Sequence, residues 1–412
     1  MSAAKKPRPE RRTPAKAADA PVKPDRIQVR NLGPIRTADV TFGDLTVLVG
    51  PQATGKSIFL QLLRLACDKA SIHRELGRFG LDWGTSTGDF LNLYFGDGMA
   101  GIWTAQSALT VDGRSMPLPE LAKRAKGRRA TVDAGEKMFF VPAQRVMSFR
   151  DGQTRPFTDY RAGDPYSLRE FSEQVHTLVQ GELVGEGALF PQAKRLKEVY
   201  RNAIAENIFG SFGLQTETSR LQKRIVLSDG SGTSLPYLVW SAGQREFVPL
   251  LLGLYWLMPS SKTSRRKWIQ WAVIEEPEMG LHPHAISVFL ALVLELLSRG
   301  YRVVIATHSP HVLDVIWGLQ FLKAHGGAPK DVVEMLGLPA EQPVLLVAKA
   351  ALGKSYRVYY FERSSDVRDI SSLDPGAADP REAGWGGLAE FSGRVGDIVA
   401  RVARRSQAGT EP

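Results

Sequence analysis

Eight consecutive residues, Gly50, Pro51, Gln52, Ala53, Thr54, Gly55, Lys56 and Ser57, carry two glycines, a lysine and a serine in a GxxxxGKS spacing. The glycines let the backbone turn its N–H groups inward, and with a helix N-terminus behind them those groups form a nest for a polyphosphate. Lys56 is placed to meet the β- and γ-phosphates, and Ser57 to offer its hydroxyl to Mg²⁺.

Three later stretches add groups that such a site needs. "WAVIEEPEMGLHP" ends an apolar run in Glu275 and Glu276. At the carboxyl end of a strand the first carboxylate can hold Mg²⁺ through water, and the second can polarise an attacking water. An exposed acidic turn is the alternative, but two buried carboxylates without a cation cost too much desolvation. "VVIATHSPH" puts His308 at the end of another apolar run, where it is either a structural histidine or a donor to the γ-phosphate. "SAGQRE" opens a helix with Ser241 and Gly243, which alone reads first as a capped helix and second as an anion site.

The elements that position these residues follow from pattern. "RIQVRNLGPIRTADVTFGDLTVLVG" reads as three strands with turns at Asn31–Pro34 and Gly43–Asp44, and "SIFLQLLRLA" as an apolar helix. "KMFFVPAQR" is a strand ending at Pro142, whereas the stretch before Glu136 has no clear pattern. "LREFSEQVHTLVQ", "PQAKRLKEVYRNAIAENIFG" and "ETSRLQKR" are charged and helical in spacing, so a helical lobe is expected there, followed by two strands in "RIVLSDGSGTSLPYLVW". From "KWIQWAVIEEPE" to "YRVVIATHSPHVL" the rhythm is β-α-β, as in a parallel sheet, and the tail after Tyr356 reads as strands and a closing helix.

Composition sets the outer limits. With 412 residues, 43% of them hydrophobic, the chain suffices for two or three domains or one large α/β domain with insertions. A single cysteine, Cys67, excludes internal disulfides and cysteine-based zinc sites, and with no long apolar window and no secretion-type leader the expectation is a cytoplasmic protein that does not enter a membrane. The net charge of +10 is concentrated early: Lys5, Lys6, Arg8, Arg11, Arg12, Lys16 and Lys23 face only Glu10 and Asp19 in a proline- and alanine-rich tail expected to be disordered. Such a tail attracts polyanions or merely aids solubility; "AKRAKGRR", Ala122 to Arg129, poses the same choice.

In order and spacing, GPQATGKS, SAGQRE, VIEEPEMGLHP and ATHSP resemble the ATP-binding-cassette ATPases of the SMC, RecF and OLD group, in particular short bacterial AAA-type, OLD-like proteins. The resemblance spans about Arg26 to Leu313. It implies an α/β P-loop NTPase with an ABC-type head: a mostly parallel core sheet, antiparallel N-terminal strands and a helical lobe insertion. It makes Gly50 to Ser57 the Walker A loop, which binds ATP, Glu275 and Glu276 the end of Walker B, Glu276 the hydrolytic glutamate and His308 the switch histidine. Ser241, Gly243 and Gln244 become the signature that touches the γ-phosphate held by an opposite subunit, and Gln144 a Q-loop residue near Mg²⁺. Departures are Glu275 where aspartate is frequent, Ala242 in place of a first glycine, and Gln52 where asparagine is frequent.

The implied division is a tail at 1–24, an ATPase lobe at 25–145 with Walker A, and a helical lobe with a hairpin at 146–240. The second ATPase part then spans 241–345 and a closing segment 346–412. The resemblance further implies a homodimer or higher oligomer closed around ATP and Mg²⁺, and a separate effector, nuclease or toxin, in antiphage defence or DNA repair. Non-specific nucleic-acid contact would run through the basic tail. The C-terminal part has no DxD pair of the kind that Toprim nucleases use. A slow nucleotide sensor that holds such a partner inactive remains the alternative; a transporter ATPase is disfavoured by the N-terminal strands and the helical insertion.

Overall fold

Apolar runs read from distant parts of the sequence lie side by side in one sheet of the computed structural model, which describes residues 24–124, 135–183, 188–219, 222–260, 265–388, 393–396 and 398–401. The basic tail up to Lys23 and Ala125–Arg129 of the second basic cluster lie outside the described residues. In chain order the strands that matter are β1 (Arg26–Leu32), β2 (Ile35–Thr41), β3 (Leu45–Val49), β4 (Trp103–Val111), β5 (Met138–Val141), β6 (Gly213–Ser219), β7 (Gln222–Ser228), β8 (Trp271–Glu275), β9 (Arg302–Ala306), β10 (Tyr356–Tyr360) and β11 (Arg368–Asp369). The helices that matter are α1 (Lys56–Arg78), α2 (Tyr166–Thr177), α3 (Glu198–Ile204), α4 (Ala242–Leu257), α5 (Pro283–Ser298) and α6 (Pro310–Ala324).

The central sheet has the order β11-β10-β3-β9-β8-β5, parallel throughout except for β11 at one edge. Its strands are apolar on both faces because both are covered. Alternate residues enter two cores: Val47, Phe139, Ile274 and Ile305 join α4 and α5 on one side, while Leu48, Phe140, Val273 and Val304 join α1 and the N-terminal strands on the other. That alternation fixes the register, since a slip by one residue would exchange the two faces.

β2, β1, β4 and the short strand Arg114–Ser115 form a separate antiparallel sheet. α1 runs from the end of β3 across the sheet and leaves helical geometry at Asp68 (φ −122°, ψ 18°). There the carboxylate accepts from the N–H groups of Lys137 and Met138, each at 2.9 Å, and pins the start of β5 to the helix.

The region between β5 and α4 departs in part from the sequence reading. α2 forms, but in "PQAKRLKEVYRNAIAENIFG" the α-helix begins only at Glu198, and the described residues of "ETSRLQKR", read as helical, are strand. Its described residues belong to β6 and β7, which pair antiparallel with Leu214 opposite Leu227 and Glu217 opposite Arg224. Leu214 and Leu227 are fully buried and join the larger core, so tertiary packing overrides the helical spacing of the charges. Ala188–Phe190 and Ser234–Pro236 extend the pair to four strands.

Candidate functional site

Four neighbouring strands, β3, β9, β8 and β5, end at the same edge of the sheet: Ala306 lies opposite Leu48, Glu275 opposite Ala306, and Val141 opposite Ile274. The carboxyl edge of an open parallel sheet is where its ligands bind. At and just beyond these strand ends lie the phosphate loop, Thr307–His308, Glu275–Glu276 and Ala143–Gln144.

The loop after β3 is forced into shape by its neighbours. Gly50 has φ 137°, and a Cβ there would stand 2.0 Å from the Phe361 carbonyl oxygen; Gly55 has φ 95°, and a Cβ would meet Ile35 at 2.6 Å. Ala53, without that freedom, also sits at φ 58°. α1 starts behind this loop with no side-chain cap and no acid in its first turn, so its free N–H groups remain available to an anion. Thr54 braces the loop by donating to the Pro51 carbonyl at 2.9 Å.

Lys56 is 6% exposed and its ammonium donates to the loop's own carbonyls, Gly50 at 2.7 Å and Pro51 at 2.8 Å. Burial pulls it down to about 8, against the opposing pull of Glu276, Glu278 and Glu275. A phosphate would replace two neutral acceptors by an anion. Pro51, Gln52, Ala53 and Ser57 are exposed at the mouth of the loop.

Glu275 is 2% exposed. Burial raises its carboxyl, while the Ser57 hydroxyl and the Ala143 N–H, at 3.1 Å, favour the charged form. Its other oxygen, Oε1, is buried with no hydrogen-bond partner. A carboxylate touching the loop serine, with one unpaired oxygen, fits a hard cation. Charge points the same way: Glu246, Glu275, Glu276 and Glu278 all act on Arg145, and three of them on Lys56, an acidic excess that a divalent ion would correct. Gln144, one residue past Ala143, is exposed at the head of the next segment.

Glu276 lies in the left-handed region, φ 43°, with its N–H donating to the Ala306 carbonyl at 2.8 Å. Its Oε1 stands 3.6 Å from His308 Nε2, a contact that, with Lys56 and Arg145, keeps the carboxylate below its ordinary range despite burial. Lys56, Ser57, Glu275, Glu276 and His308 therefore form one neighbourhood. Ser241 and Gln244 are engaged with each other instead: the Ser241 hydroxyl accepts from the Gln244 N–H at 3.2 Å, and the Gln244 side chain accepts from the Ser241 N–H at 3.0 Å. Gly243 packs against the turn after the acidic pair, where a Cβ would stand 2.7 Å from the Gly280 carbonyl oxygen.

Two residues escaped the sequence reading. Glu278 accepts from the Thr307 hydroxyl at 2.8 Å and the His308 N–H at 2.5 Å, tying β9's end to the turn after β8. Arg145, next to Gln144, is completely buried and bonds to the carbonyls of Glu246, Glu275 and Glu276. Their signal in the sequence was slight: a third glutamate in "EEPE" and an arginine after an apolar strand.

A glycine-flanked lysine and serine at the tip of the central strand, facing an acidic pair two strands away, decides the architecture. The fold is that of a P-loop NTPase. A family model described as "AAA domain, putative AbiEii toxin, Type IV TA system" matches residues 155–314, which takes in Glu275, Glu276 and His308 and leaves out the phosphate loop. No curated protein matches the chain. Among solved structures, the chain is similar to an SMC head bound to the C-winged helix domain of ScpA, at 9% identity over 84% of this chain and 97% of that one, with a TM-score of 0.40. It is also similar to the SMC head domain from Thermotoga maritima, at 12% identity over 84% and 99%, with a TM-score of 0.31. These two likenesses are too loose to carry detail. The partial family match is in keeping with the P-loop fold. Among the described residues no helix is long and apolar enough to cross a membrane.

Proposed function

We propose that the protein binds and hydrolyses ATP with Mg²⁺ as an ABC-type, OLD-like ATPase, two copies closing head to tail around the nucleotide. The observation that carries this is the convergence of Lys56, Ser57, Glu275, Glu276 and His308 at three adjacent strand ends. Lys56 exchanges its loop carbonyls for the β- and γ-phosphates, and the uncapped start of α1 receives the remaining charge. Glu276, held ionised beside His308, orients the attacking water, and His308 donates to the γ-phosphate. Ser57 and Glu275, with Gln144 beside them, are the residues to hold Mg²⁺, which when bound neutralises charge developing on the phosphate oxygens.

Ser241, Gly243 and Gln244 serve the opposite subunit in this reading, and closure switches a separate effector in antiphage defence or DNA repair in the cytoplasm. The basic tail adds non-specific nucleic-acid contact. The family description names a toxin and a toxin–antitoxin system, which favours a second form of the proposal: slow turnover, with the ATP state holding a toxin or nuclease partner inactive.

Glu276→Gln is expected to keep ATP affinity and lower turnover by about 10²–10⁴-fold, the usual worth of a positioned acid or base. Equal loss of affinity and turnover would remove Glu276 from the chemical step. Mixing Lys56→Ala with Ser241→Arg protein should restore one working site per mixed dimer; no recovery in verified heterodimers would refute the head-to-tail arrangement. Steady-state turnover of the unmodified protein separates the working ATPase from the slow sensor.

A further inference from the structure

We propose that Arg145 is a positioning residue that locks the backbone of Glu276 to the start of α4, so that the Ser241–Gly243 end of that helix and the acidic strand end move as one body. The inference rests on reading the sheet edge as the ATP site. It adds a residue and a coupling that none of the four sequence motifs contains.

The guanidinium is fully buried, and each of its three nitrogens has a hydrogen bond to a backbone carbonyl. Nε donates to the Glu246 carbonyl at 3.1 Å, Nη1 to that of Glu275 at 3.0 Å and Nη2 to that of Glu276 at 3.0 Å. Nη2 also lies 3.1 Å from the Glu246 carboxylate. The two carbonyls of Glu275 and Glu276 belong to the peptide groups on either side of the Glu276 Cα. That residue occupies the left-handed region at φ 43°, a conformation that persists in a non-glycine residue only when its surroundings impose it. Its N–H is taken by Ala306. With both carbonyls gripped by one planar fork, the whole backbone of the water-orienting residue is specified.

The other prong of the fork holds α4. Glu246 lies about one turn beyond the helix start, and the close approach of Gly243 to Gly280 gives the same two segments a second contact. Any shift of the α4 start that a nucleotide or a second copy imposes on Ser241 or Gly243 must therefore pull on the peptide groups of Glu276. A lysine cannot reproduce this: its ammonium is a single point charge, whereas the planar arginine fork spreads its donors to bond carbonyls of two separate segments in fixed geometry. Left without the fork, the Glu275 and Glu276 carbonyls lose the hydrogen bonds that hold their peptide groups to the guanidinium.

Hydrogen exchange on the full chain, with and without ATP and Mg²⁺, tests the proposal in the unmodified protein, Arg145→Lys and the milder Glu246→Gln. In the unmodified protein ATP is expected to slow exchange at both 50–57 and 241–246. In Arg145→Lys the loop should still respond and 241–246 should not, with kcat down by about tenfold or more and KM little changed, the pattern of an interaction made in the transition state. A normal response of 241–246 in Arg145→Lys overturns the coupling. Should 50–57 ignore ATP in the unmodified protein, the nucleotide reading fails, and the ligand-free arm still decides on Arg145. Both variants should then speed exchange at 244–248 and at 276–280 together, by about tenfold for the lysine variant. Acceleration confined to one of these segments, or to neither, refutes the strut.

Discussion

α1 carries two buried cations, Lys56 at its start and Arg64 about two turns on, and the fold treats them in opposite ways. Arg64 has no exposed surface, is bonded to Glu170 and to Glu136 at 3.3 Å, and lies over the ring of Tyr166 at 5.0 Å. Burial works against its charge, yet the two carboxylates carry it well above the ordinary arginine value. Lys56 bonds only to neutral carbonyls, its nearest acids act on it without an ion pair among the described contacts, and burial brings it down to about 8. A buried cation in contact with its own acids has its charge balanced within the fold; one that bonds only carbonyls is open to an anion from outside. The same helix thus serves structure in its middle and chemistry at its tip.

That contrast can be broken most directly by removing each cation. Lys56→Ala is expected to lose ATP binding by about 100-fold or more while the melting temperature stays nearly unchanged, because the P-loop lysine pairs with phosphate rather than with the protein. Arg64→Ala should do the reverse, costing about 3–5 kcal/mol of stability by stranding buried carboxylates. Denaturant melts and equilibrium nucleotide binding on both variants read the two outcomes, and a Lys56→Ala protein that unfolds as Arg64→Ala does would erase the distinction.

Asp68, further along α1, sharpens the structural half. Burial, reinforced by Glu136, raises its carboxyl to about 7, although two backbone N–H groups oppose the shift. Its folded value lies above its unfolded one, so the native state holds the extra proton between about pH 4 and 7, and stability contributed by this group falls as pH rises through that window. Asp68→Asn should flatten this part of the profile, as judged by urea midpoints at pH 5 and pH 8; an unchanged difference between the two midpoints would acquit Asp68. The smallest expected effect belongs to the other helix start. Ser241→Ala removes one arm of a capping box and should cost about 1 kcal/mol of stability. A fall in turnover well beyond that cost would mark Ser241 as serving the nucleotide as well as its own helix.

The phosphate loop, the acidic pair and His308 were legible because each sits in a stretch whose chemistry is local: glycine where the backbone must turn, a charged residue where an apolar strand stops. Arg145 and Glu278 were not, since their meaning lies in partners far along the chain, and a buried arginine looks the same in a sequence as a solvated one. The misreading of "ETSRLQKR" has a different cause. Charges at helical spacing and charges on the open face of a hairpin give similar text, and what decided between them was the burial of Leu214 and Leu227, just outside that octet. The sheet's order could be expected only as a β-α-β rhythm, because nothing local says which strands become neighbours.

That order has a consequence for how the molecule is assembled. β3, which bears the phosphate loop, pairs with β9 on one side and β10 on the other, both drawn from the far end of the chain. The Phe361 N–H, just past β10, closes on the Val49 carbonyl at 2.7 Å, beside the point where Gly50 makes its turn. During synthesis β3 must therefore wait without a partner until residues 302–306 and then 356–360 have emerged. Contacts of such long sequence separation form slowly and leave early segments open to misassociation. A chain cut before Tyr356 would keep every residue of the four motifs and lose the neighbour that gives the phosphate loop its shape.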